Sequence, residues 1–195
     1  MGKIITIRDK KEMLYAIKHQ NDGLKFQGIW QADQFRDGEL ISGGYPEPPN
    51  IFTTEGLAYL LNIMFYTTSK EGALIWYCGL FKGNVTPLAG DTAAAKLGAG
   101  GGYDECQSTE DYDETARQSY TTATTVTEVI TNAVGGKAGF TMANNITVHG
   151  AFLTNTSPTT DKTGKLMCAK KFTNSRAVID GDELAITYQI TCTSS

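Results

Sequence analysis

The sequence predicts a mainly β fold: an antiparallel β-sandwich or jelly-roll-like domain, with one main α-helix over about residues 54–66 and a short N-terminal helix. Three observations carry this. Short stretches of alternating apolar and polar residues recur along the chain, separated by Gly-, Asp- and Pro-containing turn signals. The chain is rich in threonine and holds 21 glycines, and threonine suits a half-buried pleat as glycine suits turns. Only the stretch after Thr53-Thr54 shows a long apolar stripe of helical period. A length of 195 residues fits one domain with an appended arm, so the division expected is 1–23 as an N-terminal arm and 24–195 as a single β-rich domain.

In chain order, Asp9-Lys10-Lys11-Glu12 resembles a helix start, with Asp9 as N-cap and Glu12 at the third position. Met13, Leu14 and Ile17 then form a short apolar stripe that fades by Asn21-Asp22-Gly23. A helix this short is not stable alone and must dock on its own domain or on a neighbour. Leu24 to Gln31 alternates, with Leu24, Phe26, Gly28 and Trp30 on one side, and Asp37-Gly38 turns the chain into Glu39-Leu40-Ile41. This predicts a hairpin. Gly43-Gly44-Tyr45-Pro46-Glu47-Pro48-Pro49 is a stiff connector, because each proline removes a donor and restricts the residue before it. It is either a plain linker or an extended arm that lies on a partner.

The main helix is expected from Thr54 to about Tyr66, capped by Thr53 or Thr54, with Leu57, Leu60, Leu61, Met64 and Phe65 as one apolar stripe. After Gly72 comes a strand, Ile75 to Phe81, whose faces are both apolar: Trp76, Cys78 and Leu80 on one, Ile75, Tyr77 and Phe81 on the other. Neither face tolerates water, so each needs a cover. The helix is the expected cover for one face and an opposing sheet for the other. Leu88 to Gln118 is the least regular part, with the flexible run Gly98 to Gly102 and a tyrosine-rich acidic patch from Tyr103 to Glu114. Long loops of this kind are usually functional or mobile. Tyr120 to Thr131, Phe140 to Met142, Ile146 to Leu153, Leu166 to Phe172 and Ala177 to Ile179 read as further strands. Asp180-Gly181 then turns the chain into Leu184, Ile186, Tyr188, Ile190 and Cys192, which alternate with residues facing out, as in an antiparallel strand.

The composition argues against several functions. A net charge of −4 and no long basic run leave nothing to follow a phosphate backbone, and an acidic surface discourages anionic membranes, so neither nucleic acid nor membrane is expected as a partner. The N-terminal residues lack the apolar core of a secretory signal. Cys78, Cys106, Cys168 and Cys192 are scattered without a C-x-x-C pair, which reads as reduced structural thiols. Gly98 to Gly102 lacks the third glycine of a dinucleotide fingerprint, and Gly135-Gly136-Lys137 lacks the rest of a P-loop. The acidic patch does not follow the calcium-loop order. His19 and His149 are the only histidines, and no motif places either beside a cysteine as a nucleophile–base pair or a zinc set. The expectation is therefore a protein that is not an enzyme and carries no cofactor or metal.

One resemblance adds to this reading. It is carried by Phe35-Arg36-Asp37-Gly38, Pro49-Asn50-Ile51-Phe52-Thr53-Thr54-Glu55-Gly56-Leu57 and Trp76-Tyr77-Cys78-Gly79-Leu80-Phe81. Further on it includes Asp91-Thr92, Tyr112-x-Glu114-x-x-Arg117, Gly150-Ala151-Phe152-Leu153 and Arg176-Ala177-Val178-x-x-Gly181-Asp182-x-Leu184. In this order and spacing, from about Phe26 to the C-terminus, the chain resembles a group of tailed-bacteriophage virion proteins that includes head-decoration, or cement, proteins. The resemblance implies a virion structural protein assembled in the host cytoplasm. Its partners would be the major capsid protein or other virion proteins, with a homo-oligomer expected. It carries no active-site residues. A tail- or neck-associated β-domain that binds a carbohydrate or another virion protein is the alternative. The contacts expected lie in the N-terminal arm, the connector and the Gly98–Glu114 loop, with Tyr45, Pro46, Pro48, Pro49, Tyr103, Asp104, Glu110, Asp111 and Tyr112 as the named residues.

Overall fold

The computed structural model describes residues 24–66 and 76–194. The N-terminal arm and its expected short helix lie outside these residues. Two long strands, β1 (Leu24–Arg36) and β10 (Glu183–Ser194), run antiparallel along their whole length, with Trp30 opposite Tyr188. β2 (Glu39–Ser42) pairs with the other side of β1, and β6 (Val129–Thr131) and β7 (Ala138–Thr141) share the far side of β10. The turn from β1 to β2 is Asp37-Gly38, with φ of 52° and 78°, the left-handed pair that matches strand twist in a two-residue hairpin. The second sheet has the order β3 (Ile51–Phe52), β9 (Leu166–Val178), β8 (Ile146–Thr154), β4 (Tyr77–Phe81) and β5 (Gln118–Ser119). Every pairing between strands is antiparallel. The mainly β, antiparallel architecture expected from the sequence is thus the one observed.

The inner faces meet in one core. Trp30, Phe140, Leu184, Ile186 and Tyr188 of the first sheet pack against Cys78, Leu80, Val148, Leu153, Cys168 and Phe172 of the second. Trp30 stacks on Tyr188 with centroids 4.0 Å apart, and the Cys168 thiol donates to the Tyr188 hydroxyl at 3.0 Å, tying the sheets together.

The two-faced strand β4 is covered on both sides as its composition requires, by the opposing sheet on one face, as expected, but on the other not by the helix. Cys78 and Leu80 face the opposing sheet. On the other face Phe81 joins Phe152, Leu166 and Ala169 against Ala93, Leu97 and Tyr103, which belong to the irregular segment after β4. That segment, expected as a flexible loop, is a wrap on the outer face of the second sheet. It contains a one-turn helix, α2 (Ala93–Lys96), capped by Thr92. It is pinned to the end of β4 by Lys82 N–H to Asp104 O and Gly83 N–H to Tyr103 O, both at 2.9 Å.

The main helix, α1 (Thr54–Leu61), starts at its expected cap, with the Thr53 hydroxyl accepting from the Gly56 N–H at 3.0 Å. It docks on β9 through Gly56, not over β4, although Tyr59 meets Trp76 edge to face. After Leu61 the backbone loosens into a single π-turn, Asn62–Tyr66. Leu57 and Leu60 are half-buried, whereas Leu61, Met64 and Phe65 are exposed, so the stripe expected to be buried continuously is buried only in its first half.

Candidate functional site

Among the described residues no cluster of His, Cys, Asp and Glu is arranged to hold a metal ion, and no helix is long and apolar enough to cross a membrane. Cys78, Cys106 and Cys168 are buried, and burial pushes their thiols up, that of Cys168 to about 12. A thiol held protonated is a poor nucleophile. His149 is half-buried on β8, and His19 lies outside the described residues.

The feature with a built geometry is the connector between β2 and β3. It begins at Gly43 and Gly44, both with positive φ, where the chain leaves β2. A side chain at Gly43 would put its Cβ 2.7 Å from the Ala32 carbonyl oxygen, so only glycine allows this approach. Three anchors then hold the connector along β1. The Gly44 N–H donates to Asp33 Oδ1 at 2.8 Å, the Glu47 N–H to Trp30 O at 2.7 Å, and the Asn50 N–H to Gly28 O at 2.9 Å. Glu47 also turns its carboxylate inward, accepting the Thr173 N–H of β9 at 2.7 Å, with Arg176 3.9 Å away. Asp33 is held in turn by Lys137 at 2.8 Å. Although burial opposes its charge, Lys137, the Gly44 N–H and Gln31 hold the Asp33 carboxyl below the ordinary carboxylate value.

With Gly44, Glu47 and Asn50 turned in, Tyr45, Pro46, Pro48 and Pro49 are turned out. Tyr45 is 80% exposed. Tyr45, Pro46 and Pro48 line a groove of about 610 Å³ whose other wall is Ile41, Asn174 and Arg176. β2 is the edge of its sheet, with Leu40 and Ile41 about half exposed. The edge strand and the large exposed aromatic beside it leave unpaired backbone groups and an apolar patch facing solvent. Locked prolines and fixed anchors mean that little conformational entropy is left to lose on binding.

Of the residues predicted as contacts, the structure gathers only Tyr45, Pro46 and Pro48. Pro49 lines a separate cleft of about 160 Å³ with Thr86, Pro87, Lys170 and Lys171. Asp104 and Glu110 are exposed but line neither site. Tyr103, Asp111 and Tyr112 correct the expectation, because all three are buried inside the chain. Tyr103 stacks on Phe81 and donates to Asp91 Oδ2 at 2.9 Å. Tyr112 stands edge-on to Phe140, and Asp111 accepts from Lys82 Nζ and the Gln107 N–H, each at 2.7 Å. Their phenols and carboxylate close a core rather than face a partner.

Leu40 and Ile41 on the edge strand, and Asn174 and Arg176 across the groove from Tyr45, went unrecognised as surface residues of this region in the sequence. For the first two a signal existed. Two consecutive apolar residues in a short hairpin strand must point to opposite faces, and an edge strand has little to cover the outer one. No protein-family model matches the chain, and no curated protein matches it.

Proposed function

We propose that this chain is a non-enzymatic structural protein of a tailed-bacteriophage virion, a decoration or cement protein that binds the assembled head through the Tyr45 edge. The observation that supports the reading most is the rigid display of Tyr45 and its prolines beside the exposed β2 strand. That display spends three backbone anchors and an inward-turned glutamate on a segment that places no apolar side chain in the core. The sequence resemblance supplies the virion setting. A decoration protein acts by mass action: it binds the assembled shell and not the dissociated subunits, and so raises the cost of their separation. Many copies, or a homo-oligomer, multiply a modest contact through effective concentration.

A tail- or neck-associated carbohydrate binder is the second reading, favoured by one observation: Tyr45 flanks a groove that also carries Asn174 and Thr173. One aromatic makes a poor stacking platform, however, and neither Trp30, in the core, nor Trp76, elsewhere on the molecule, lines this groove.

Purified protein added to preformed heads should saturate at a symmetry-related copy number and raise the temperature at which the heads disrupt. The Tyr45→Ala variant should lose both effects. A protein that ignores heads and binds a glycan through Tyr45 instead would overturn the decoration reading in favour of the second.

A further inference from the structure

The groove beside Tyr45 holds a charged pair that does not close on itself. Glu47 and Arg176 both line it, each with a side chain only 5% exposed. Their nearest atoms, Glu47 Oε1 and Arg176 Nη2, stand 3.9 Å apart, beyond hydrogen-bond length. Each group is fixed from behind. Glu47 Oε2 accepts the Thr173 N–H at 2.7 Å, and the Glu47 N–H is held by Trp30 O. Arg176 donates from Nε and Nη2 to Ala32 O at 3.3 and 3.0 Å, and from Nη1 to Asn174 O. A guanidinium has more N–H groups than these, so Nη2 keeps one beside Glu47. Among the described residues, Glu47 Oε1 accepts no hydrogen bond. The groove therefore offers one donor and one acceptor side by side, both immobilised and largely shielded from water.

We propose that this pair is the seat of a primary carboxamide, the side chain of an Asn or Gln on an extended polypeptide segment of the partner. The inference rests on the reading of the Tyr45 edge as the contact face. Charge narrows the choice first. The two groups cancel, so a carboxylate is opposed by Glu47 and an ammonium by Arg176, whereas a neutral group that accepts from Arg176 and donates to Glu47 satisfies both. Geometry narrows it further. In a primary carboxamide the oxygen and nitrogen lie about 2.2 Å apart, so hydrogen bonds of about 2.9 Å reach the two groups with only a slight outward tilt. A single hydroxyl would have to hold both bonds at nearly a right angle. A backbone amide points its C=O and N–H in opposite directions, because the peptide bond is trans. Neighbouring hydroxyls of a sugar match the spacing, but the surroundings favour a peptide. Ile41, Tyr45, Pro46 and Pro48 wall the groove with apolar side chains, which suit a methylene stem. β2 alongside is an edge strand, and its open edge offers backbone hydrogen bonds that an extended chain takes and a sugar cannot.

An exchange of preference tests the seat in the full chain. Selection from a random heptapeptide library on the immobilised protein should enrich sequences with Asn or Gln at one fixed position. Glu47→Gln can still accept the Thr173 N–H, but it turns a donor toward the groove and leaves Arg176 uncompensated, so the same selection should switch to Asp or Glu. A Glu47 that serves only the fold would give no such exchange. Affinity of Glu47→Gln for preformed heads should fall about ten-fold or more, with a urea midpoint measured alongside. The wild-type selection decides alone if that variant does not fold. No fixed Asn or Gln in the wild-type selection overturns the proposal, as does an unchanged preference in a folded Glu47→Gln or binding of a neutral glycan that is lost in Arg176→Met. Heads that reject Tyr45→Ala but hold Glu47→Gln as tightly as wild type overturn the carboxamide seat alone. Heads that hold Tyr45→Ala undiminished overturn the contact face and the seat with it.

Discussion

Arg117 and Glu105 face each other with no solvent around either side chain, Nε to Oε1 at 2.7 Å and Nη2 to Oε2 at 2.9 Å. Burial pushes the Glu105 carboxyl above the ordinary carboxylate value, against the pull of the guanidinium. The pair is also a junction. Glu105 accepts the Gly98 N–H, and Arg117 donates to Thr156 O at 2.9 Å, so the wrap over the second sheet is fastened at four places in the chain. Removing one partner of such a pair strands the other charge, which costs about 3–5 kcal/mol. Arg117→Met should lower unfolding stability by that amount in urea titration, and Glu105→Leu/Arg117→Met should recover part of it. A loss below about 1 kcal/mol in the single variant would show that the apolar cluster around Tyr103 holds the wrap without the pair.

Gly56 sets two effects of opposite sign against each other. Glycine within a helix is worth about 1 kcal/mol less than alanine, so Gly56→Ala gains that much from propensity. The new Cβ, however, would lie 2.5 Å from both Cα and the carbonyl oxygen of Met167, backbone atoms that cannot swing away. Overpacking of this kind costs about 1–3 kcal/mol and more where the backbone must move. The net expectation is a loss of stability of about 1–2 kcal/mol in chemical denaturation, together with higher amide exchange across Thr54–Leu61. A stabilised variant would mean that α1 rides loosely on β9.

The thiols give a rapid check of the fold. Cys78, Cys106 and Cys168 are sealed and held protonated, and only Cys192 is partly exposed. Native protein should therefore react with one equivalent of a thiol reagent, and denatured protein with four. More than one fast equivalent in the native state would contradict the core described for β4 and β9.

How much of this was legible in the sequence divides along a physical line. The hairpin at Asp37-Gly38, the cap at Thr53 and the alternation of β10 are local, set by turn chemistry and period, and the structure reproduces them. The cover of β4's outer face is not local. It depends on Tyr103 and Leu97 folding back across some twenty residues of irregular chain, where periodicity carries no signal. The same holds for the acidic patch. Nothing in the sequence marks Asp111 and Glu105 as buried, because their partners, Lys82 and Arg117, are assigned to them only by the fold. Several motifs that carry the resemblance prove to be keystones: Thr92 caps α2, Glu114 accepts the Thr141 N–H, and Asp182 gathers Arg36 and Gln34. They specify architecture and not a site. The groove at Tyr45 was half visible, since prolines announce stiffness but not which side of the chain turns outward.

Acid should loosen the hairpin end first. Asp182 accepts from Arg36 at 2.7 and 2.8 Å, from Gln34 at 2.8 Å and from the Ile179 N–H at 3.0 Å. The Arg36 hydrogen bonds, opposed by burial, hold its carboxyl well below the usual carboxylate value, and Asp33 shifts in the same direction. A carboxyl depressed in the folded state binds fewer protons there than in the unfolded chain, so its stabilisation is present above the unfolded value of about 4 and is lost as pH falls from there toward the folded value. Urea midpoints should be level from neutral pH to about 5 and then fall. Asp182→Asn should cost about 1.5–3 kcal/mol for each charged hydrogen bond lost at neutral pH, and should make the acid slope shallower. An unchanged slope would locate the acid sensitivity elsewhere.

On the proposed function, Tyr45 separates binding from stability. Its ring is exposed and touches nothing that the core needs, so Tyr45→Ala should change unfolding stability by no more than about 0.5 kcal/mol. At a contact centre, an aromatic anchor is worth about 2 kcal/mol or more, which is roughly a thirty-fold loss of affinity. Asp33→Asn offers the complementary case. It leaves the Tyr45 ring in place but weakens the anchors at Gly44 and Lys137, so the connector binds from a looser starting state and affinity falls through preorganisation. The two variants should therefore differ in kind: Tyr45→Ala raises the dissociation rate at unchanged stability, and Asp33→Asn lowers both stability and affinity. Titration of each against the partner, alongside a urea curve, distinguishes them. Full binding by Tyr45→Ala would remove the connector from the interface.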